Sequence, residues 1–225
     1  MSKHLTRDLE SLQRRLLGMA GLVEEAIVQA TQALLTRDEV RAREVIAGDP
    51  AIDAEENGIQ EECLKILALH QPVAGDLRRT AAVFSITTNL ERIGDLAVDI
   101  AERAVALASL PPLPADEDLP RLTDFVAGMV HQALDAFVNL DSRHASRVIR
   151  LDDEADRLHD TIVARIIGWM KADPAAVEPG VSLFSATRHL ERIGDHATNI
   201  AEDVVYLVEG ELVRHRPRTP NGSVP

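Results

Sequence analysis

The sequence predicts an all-α protein built from two three-helix units in tandem. Residues 90–95 and 190–195 both read Leu-Glu-Arg-Ile-Gly-Asp, so the chain carries an internal repeat of about one hundred residues. Apolar residues make up 45% of the chain but aromatic residues only 3%, a balance typical of helical bundles. No segment of useful length alternates apolar and polar residues in the manner of a strand.

The first two helices follow from apolar spacing and from capping residues. Apolar residues alternate spacings of three and four between residues 5 and 33, which predicts one helix ending near Leu35. Thr36 fits the N-cap of a second helix, with Glu39 reaching back to complete a capping box. Asp49 and Pro50 interrupt this second helix: they either start a fresh helix or kink the existing one.

The second helix ends near Gln71-Pro72, and a third helix is expected to run to about Ala108. The Pro-rich stretch that follows is typical of a linker. The pattern of the first unit then restarts, shifted by 103 residues in its second helix and by 100 in its third. These observations divide the chain into a first bundle (1–108), a linker (109–120), a second bundle (121–212) and a disordered tail (213–225).

Charge and cysteine content restrict the class of function. The net charge of −13 argues against a nucleic-acid or anionic-membrane surface and favours a cation or a basic partner. The single cysteine, Cys63, cannot form an internal disulfide, and no uncharged apolar run approaches the ~20 residues of a membrane span. We therefore expect a soluble, cytoplasmic protein that inserts into no membrane and binds no nucleic acid.

The repeated motif carries a row of acidic residues. With Glu91 at zero on a helical wheel, Asp95 falls near ~40°, Glu102 near ~20° and Asp99 near ~80°, opposite the apolar residues of the same helix. Like charges four residues apart cost a few tenths of a kcal/mol per pair, so a repeated row favours a bound cation. The second copy has Glu191, Asp195, Asn199 and Glu202 at these positions. Because the wheel points the acids outward, it excludes a buried pair whose pKa is raised by desolvation.

The preceding helix supplies a second acidic pair in each repeat. Asp53 lies nineteen residues before Pro72 and Glu91 nineteen after it, so an antiparallel hairpin sets Asp53 level with Glu91 and Asp49 level with Asp95. The same symmetry in the second copy sets Asp156 level with Glu191 and Asp152 level with Asp195. Facing carboxylates provide hard oxygen ligands, which suit Mg, Ca, Mn or iron. The alternative is a solvated face whose acids pair with Arg92, Arg157 or Arg192.

These features resemble the PhoU family, the accessory and regulatory proteins of the phosphate-specific transport system. The likeness rests on residues 69–78, which read Leu-His-Gln-Pro-Val-Ala-Gly-Asp-Leu-Arg, and on the two Leu-Glu-Arg-Ile-Gly-Asp motifs. It rests also on residues 49–53 and 152–156. The resemblance implies two tandem three-helix bundles in pseudo-twofold arrangement, often as a homodimer, with surface metal clusters of iron, zinc or other divalent ions.

By this resemblance, the metal ligands follow position by position. The first cluster would use Asp49, Asp53, Glu91, Asp95 and Asp99, and the second Asp152, Asp156, Glu191, Asp195 and Asn199. Asn199 stands where the first copy has Asp99, so the two sites are expected to differ in affinity. The metal itself, whether iron, zinc, manganese, magnesium or calcium, is left open.

The resemblance also implies a role without catalysis. The protein would keep the phosphate-starvation response off by linking the ATPase subunit of the phosphate ABC transporter to the sensor histidine kinase of the two-component system. Two alternatives stay open: a helical adaptor without metal, and a carboxylate-bridged metal enzyme. The enzyme needs a concave pocket with an open coordination position, which an outward acidic row does not provide.

Overall fold

A computed structural model describes residues 3–211 and confirms the all-α prediction. Within these residues there is no strand, and none of the helices has the uninterrupted apolar length that a membrane span requires. The predicted tail, 213–225, lies outside the described residues. The elements are α1 (Lys3–Thr36), α2 (Glu39–His70), α3 (Ala74–Ala108), α4 (Asp118–Asn139), α5 (Ser142–Ala172), a short 3-10 helix (Pro174–Ala176) and α6 (Val177–Glu209).

The helices pack as two tandem bundles. Helices α1–α3 pack on one another, as do α4–α6, while α3 packs along α6 and α1 touches α4. Each helix buries one apolar stripe, and the stripe of α1 from Leu5 to Leu34 is the one whose spacing predicted that helix. In α3 and α6 the buried stripe includes the repeated motif itself, with Leu90, Ile93, Leu190 and Ile193 almost inaccessible to solvent. Burial of these stripes is the main stabilising term of such a bundle.

The start of α2 differs from the prediction. Thr36 is the last residue of α1, and its hydroxyl donates a 2.8 Å hydrogen bond to the carbonyl oxygen of Gln32. Asp38 caps α2 instead, accepting a 3.1 Å hydrogen bond from the backbone N–H of Arg41. The predicted capping box at Thr36 is therefore wrong, because the chain turns at Arg37, whose φ is 57°, and α2 begins after it. An aspartate is as good an N-cap as a threonine.

Helix α2 runs as one helix through Pro50, which excludes the first of the two alternatives for Asp49 and Pro50, a fresh helix start. Proline has no amide hydrogen, and Pro50 therefore leaves the carbonyl of Ile46 without its usual helical donor. Packing of α2 against α1 and α3 maintains the helix across this defect. Buried residues on both sides of it, Val45 and Ile52, provide that packing.

The linker is shorter than predicted, because α4 begins at Asp118 and takes residues 118–120 into its first turn. Pro120 is tolerated there, since the first amides of a helix have no intrahelical acceptor. Arg165 of α5 fixes the end of the linker, donating to Asp116 at 2.8 Å and to Asp118 at 2.5 Å.

Candidate metal centre

The hairpin of α2 and α3 brings acidic residues of both helices together. Gln71 adopts the left-handed conformation (φ 44°) and ends α2, and α3 begins after two further residues, so the two helices run antiparallel. One carboxylate oxygen from each of Asp49, Asp53 and Asp95 lies within 4.8 Å of the other two. Three such atoms fit around a common point no more than about 2.8 Å from each, close to the ~2.0–2.6 Å of Mg and Ca ligands.

Glu91 lies beside Asp49, Asp53 and Asp95, and we name this group of acids cluster 1. The side chain of Glu91 is only 16% exposed. Desolvation, together with the charges of Asp95, Glu56 and Asp53, raises the pKa of Glu91 to about 7, against the opposing charge of Arg92. The sequence indicated that Asp53 and Glu91 face each other, and the contribution of the Asp53 charge to the raised pKa of Glu91 agrees with that pairing.

Glu56 was missed by sequence reasoning. It lies one turn after Asp53 on the same side of α2, and desolvation with the charges of Asp53 and Asp95 raises its pKa. The i, i+3 and i, i+7 spacing from Asp53 and Asp49 was the signal that could have identified it. Cluster 1 therefore contains five carboxylates: Asp49, Asp53, Glu56, Glu91 and Asp95.

The sequence argument against desolvated acids was wrong. A helical wheel places a residue relative to its own helix, whereas these acids lie in the groove where a second helix packs alongside. Asp49 borders an apolar pocket of about 210 Å³ lined in part by Leu22, Val45 and Ile52, and desolvation is the largest cause of its raised pKa. Its Oδ1 is buried and has no hydrogen-bond partner among residues 3–211.

The acids of the second repeat, which we name cluster 2, are near enough for their charges to interact, but among residues 3–211 three ligand atoms lie within 4.8 Å of one another only in cluster 1. Desolvation, then the charges of Glu191, Asp152 and Asp156, raises the pKa of Asp195 to about 6. Asp152 is buried, and its Oδ1 accepts a 3.4 Å hydrogen bond from the hydroxyl of Thr198. All four carboxylates predicted for this repeat are therefore electrostatically coupled.

The structure does not bring Asp99 and Asn199 into the clusters. Both lie at the seam between α3 and α6. Asp99 Oδ2 is 3.5 Å from Nδ1 of His189 on α6, and Asn199 lines a cleft with Thr88 and Asn89 of α3. The resemblance to the family suggested these two residues as ligands, but their neighbours in this structure are groups of the opposite repeat.

Arg92 partly neutralises the charge of cluster 1. This is what the alternative to metal binding requires, namely a solvent-exposed face whose acids pair with arginine. Arg92 lies 3.4 Å from Glu91 Oε2 and 3.3 Å from Asp95 Oδ2. Its side chain is 58% exposed, however, and an exposed pair of this kind stabilises by no more than about 1 kcal/mol. One arginine cannot balance five carboxylates. The raised pKa values, the orphaned Asp49 oxygen and the all-oxygen donor set fit a hard cation.

Gly94 of the repeated motif allows the close approach of α2 to α3. A Cβ atom built on Gly94 would lie 3.2 Å from Ile52 Cδ1, tighter than most real contacts, whereas one on Gly194 would meet nothing nearer than 3.8 Å. The two glycines therefore form a matched pair. Each sits inside a helix, where alanine is favoured by about 1 kcal/mol over glycine.

We expect Gly194→Ala to raise the free energy of unfolding by about 0.5–1 kcal/mol. We expect Gly94→Ala to gain less or to lose stability, because Ile52 must move away. Urea unfolding followed by circular dichroism measures both changes. Equal stabilisation by the two substitutions would contradict a tight α2–α3 contact.

Fold and clusters together define a tandem three-helix-bundle protein with one carboxylate cluster in each repeat. A family model described as the PhoU domain matches residues 16–104 and again 119–204. The chain belongs to the PhoU family, and the pseudo-twofold pair of bundles expected from the resemblance is confirmed.

Relatives and solved structures agree along nearly the whole chain. The "Phosphate-specific transport system accessory protein PhoU homolog" of Pseudomonas putida is 40% identical over 216 residues, 96% of this chain and 84% of that protein. The homolog of the same description from Aquifex aeolicus is 40% identical over 94% of this chain and 96% of its own length. The crystal structure of PhoU from Pseudomonas aeruginosa superposes with a TM-score of 0.89 at 39% identity, covering 92% of this chain and 99% of that one. For PhoU from Streptococcus pneumoniae, titled a phosphate transport system regulatory protein, the TM-score is 0.87 at 31% identity, covering 93% and 99%.

Proposed function

We propose that this protein is a cytoplasmic accessory regulator of phosphate uptake that acts without catalysis. It keeps the phosphate-starvation response off by linking the ATPase subunit of the phosphate ABC transporter to a sensor histidine kinase. The observation that carries the regulatory role is the similarity, over more than nine tenths of the chain, to proteins described as accessory to phosphate-specific transport. Two three-helix bundles side by side offer separate surfaces for two partners, and a homodimer doubles them.

We propose further that clusters 1 and 2 each bind metal. In cluster 1, Asp49, Asp53, Glu56, Glu91 and Asp95 supply oxygen ligands, and in cluster 2 Asp152, Asp156, Glu191 and Asp195 do so. Support comes, for cluster 1, from the three oxygens within 4.8 Å of one another and, for each cluster, from one raised pKa, that of Glu91 in cluster 1 and that of Asp195 in cluster 2. A bound cation would displace the protons that the carboxyl groups with raised pKa values, Glu91 and Asp195, hold near neutral pH. Elemental analysis of protein purified without chelator identifies the metal among iron, zinc, manganese, magnesium and calcium.

Deletion of the gene tests the regulatory role. We expect a phosphate-starvation reporter such as alkaline phosphatase to be expressed in phosphate-rich medium after deletion, and repression to return with the wild-type gene. A reporter that stays repressed in the deletion strain would reject the regulatory proposal. Complementing the deletion strain with a variant that lacks the carboxylates of one cluster then shows whether repression needs that cluster or only the presence of the protein.

A further inference from the structure

The apolar pocket that Asp49 borders lies where the three helices of the first repeat meet, and its volume is about 210 Å³. Each helix contributes apolar side chains to its wall, namely Leu22 and Ala26 of α1, Val45 and Ile52 of α2, and Val98 of α3. The pocket is open to solvent, since Leu22 is 43% exposed and a Cβ atom built on Gly48, which also lines it, would meet nothing within 4 Å. At about 30 Å³ for each non-hydrogen atom, the pocket has room for a molecule of roughly seven such atoms.

Asp49 presents an unsatisfied acceptor at this pocket. Its Oδ1 is inaccessible to solvent and has no hydrogen-bond partner within residues 3–211. A buried carboxylate oxygen without a donor is costly to the folded state. Two further carboxylates, those of Glu25 and Glu44, line the pocket together with Arg41, which lies 3.6 Å from Asp38. The pocket therefore combines an apolar wall with negative charge.

The second repeat carries larger side chains at the corresponding place. The shift of 103 also relates α1 to α4, because three buried residues of α1 fall on three identical buried residues of α4: Val23 on Val126, Ala30 on Ala133 and Ala33 on Ala136. Under this shift Ala26 corresponds to Met129 and Gly48 to Leu151. Met129 is fully buried, and its Sδ is the atom nearest to a Cβ built on Gly194, at 3.8 Å. In the first repeat a methionine is thus replaced by an alanine.

Gly94, the counterpart of Gly194, lines the pocket. Ile52 lies against it and is larger than its own counterpart, Ala155. Ile52 takes part of the space that Met129 fills in the second repeat, and the pocket is what remains beside it. The first repeat therefore keeps open a volume that the second repeat fills with its own side chains.

The donor to the buried carboxylate also differs between the repeats. The hydroxyl of Thr198 donates a 3.4 Å hydrogen bond to Oδ1 of Asp152. Under the shift of 100, Thr198 corresponds to Val98, which has no hydroxyl, so Asp49 lacks this donor. The first repeat is therefore missing both a side chain and a hydrogen-bond donor at one place. A ligand that fills the space and supplies the donor accounts for both differences.

We propose that this pocket binds a small aliphatic amine, with the alkyl chain against the apolar wall and the ammonium group donating to Oδ1 of Asp49. An ammonium group is favoured over a hydroxyl group because hydrogen bonds between two charged groups are about twice as strong as neutral ones. The carboxylates of Glu25 and Glu44 attract the same charge. This inference rests neither on the regulatory role nor on metal binding. Since Asp49 is also a proposed ligand of cluster 1, the amine is tested on metal-free protein.

Calorimetric titration of the chelator-treated full chain with n-butylamine tests the site, and n-butanol serves as the uncharged probe of equal length. We expect butylamine to bind and butanol to bind at least about 10-fold more weakly, as for loss of a hydrogen bond between charged groups. Equal affinity for the two probes would overturn the contact between the ammonium group and Asp49. An absence of butylamine binding would overturn the site itself.

Two substitutions convert the pocket to the arrangement of the second repeat without removing a carboxylate. Ala26→Met fills the space and should abolish butylamine binding. Val98→Thr supplies the missing hydroxyl and should weaken binding about 10-fold. Ala68→Met is the matched control, because Ala68 is exposed on α2 and lies outside the pocket; it should bind butylamine as the wild type does.

Circular dichroism verifies that each variant is folded. Wild-type affinity for butylamine in both pocket variants would overturn the inference. The metal content of these variants is measured separately and should equal that of the wild type, because every carboxylate of cluster 1 is retained. A failure of the amine site is therefore distinguishable from a failure of the proposed metal sites.

Discussion

Replacing Asp53 and Asp95 together by asparagine should remove metal from cluster 1 and leave cluster 2 loaded. The two residues contribute two of the three oxygens that lie within 4.8 Å of one another. Loss of an outer-shell partner alone lowers metal affinity by about 10–100-fold, so we expect the loss of two direct ligands to exceed about 100-fold. Elemental analysis and titration of the chelator-treated protein measure the change.

Asp124→Asn is the matched control for this pair, because Asp124 is an exposed acid on α4 away from both clusters. Metal content equal to the wild type in the double variant would contradict the assignment of cluster 1.

The same double substitution should raise the melting temperature of the metal-free protein. Asp95 and Asp53 both raise the pKa of Asp49, as expected for carboxylates that repel one another, and asparagine removes two of the charges. In the presence of metal the wild type should have the higher melting temperature, because only the wild type gains binding free energy at cluster 1. This change of sign between the two conditions distinguishes ligands from ordinary surface acids.

The second large effect is a pH dependence of the metal-free protein. The pKa of Glu91 is raised from 4.5 to about 7 and that of Asp195 from 3.8 to about 6. Between their unfolded and folded pKa values, the folded protein holds protons that the unfolded chain releases. The free energy of unfolding therefore falls as pH rises from about 4 to about 7. Glu91, whose side chain is 16% exposed, accounts for on the order of 1–3 kcal/mol.

Thermal melts of chelator-treated protein check this prediction. We expect a melting temperature several degrees lower at pH 8 than at pH 5.5, since 1 kcal/mol corresponds to ~2–4 °C for a chain of this length. Glu91→Gln/Asp195→Asn should flatten the dependence, and added metal should abolish or reverse it, because metal displaces the protons. If the melting temperature of the double variant depends on pH as that of the wild type does, groups other than Glu91 and Asp195 cause the pH dependence.

Much of the site could be predicted from sequence because it depends on duplication and on hairpin symmetry. Equal distances from Pro72 were enough to indicate that Asp49 and Asp53 face the acids of the next helix. The raised pKa values were not predictable in this way. The wheel of α3 takes no account of α2, whose packing beside Glu91 removes water from one side of it.

Contacts between the two repeats could not be predicted from local sequence patterns either. Asp99 belongs to the acidic row by periodicity, yet α6 packs against that side of α3 and supplies His189 as its neighbour. Thr36 and Asp38 both satisfy the rules for an N-cap, and the turn at Arg37 decided between them. Glu56 lay outside the repeated motif, so the comparison of the two copies did not extend to it.

Because of Pro50, helix α2 is expected to bend more easily than its counterpart in the second repeat, α5. Pro50 lies within one turn of both Asp49 and Asp53, so the hydrogen bond that it leaves unmade weakens the helix next to these two proposed ligands. In α5 the corresponding position is Asp153, an ordinary helical residue with its amide intact. We therefore expect the proposed site of the first repeat to accept a wider range of ionic radii than the proposed site of the second.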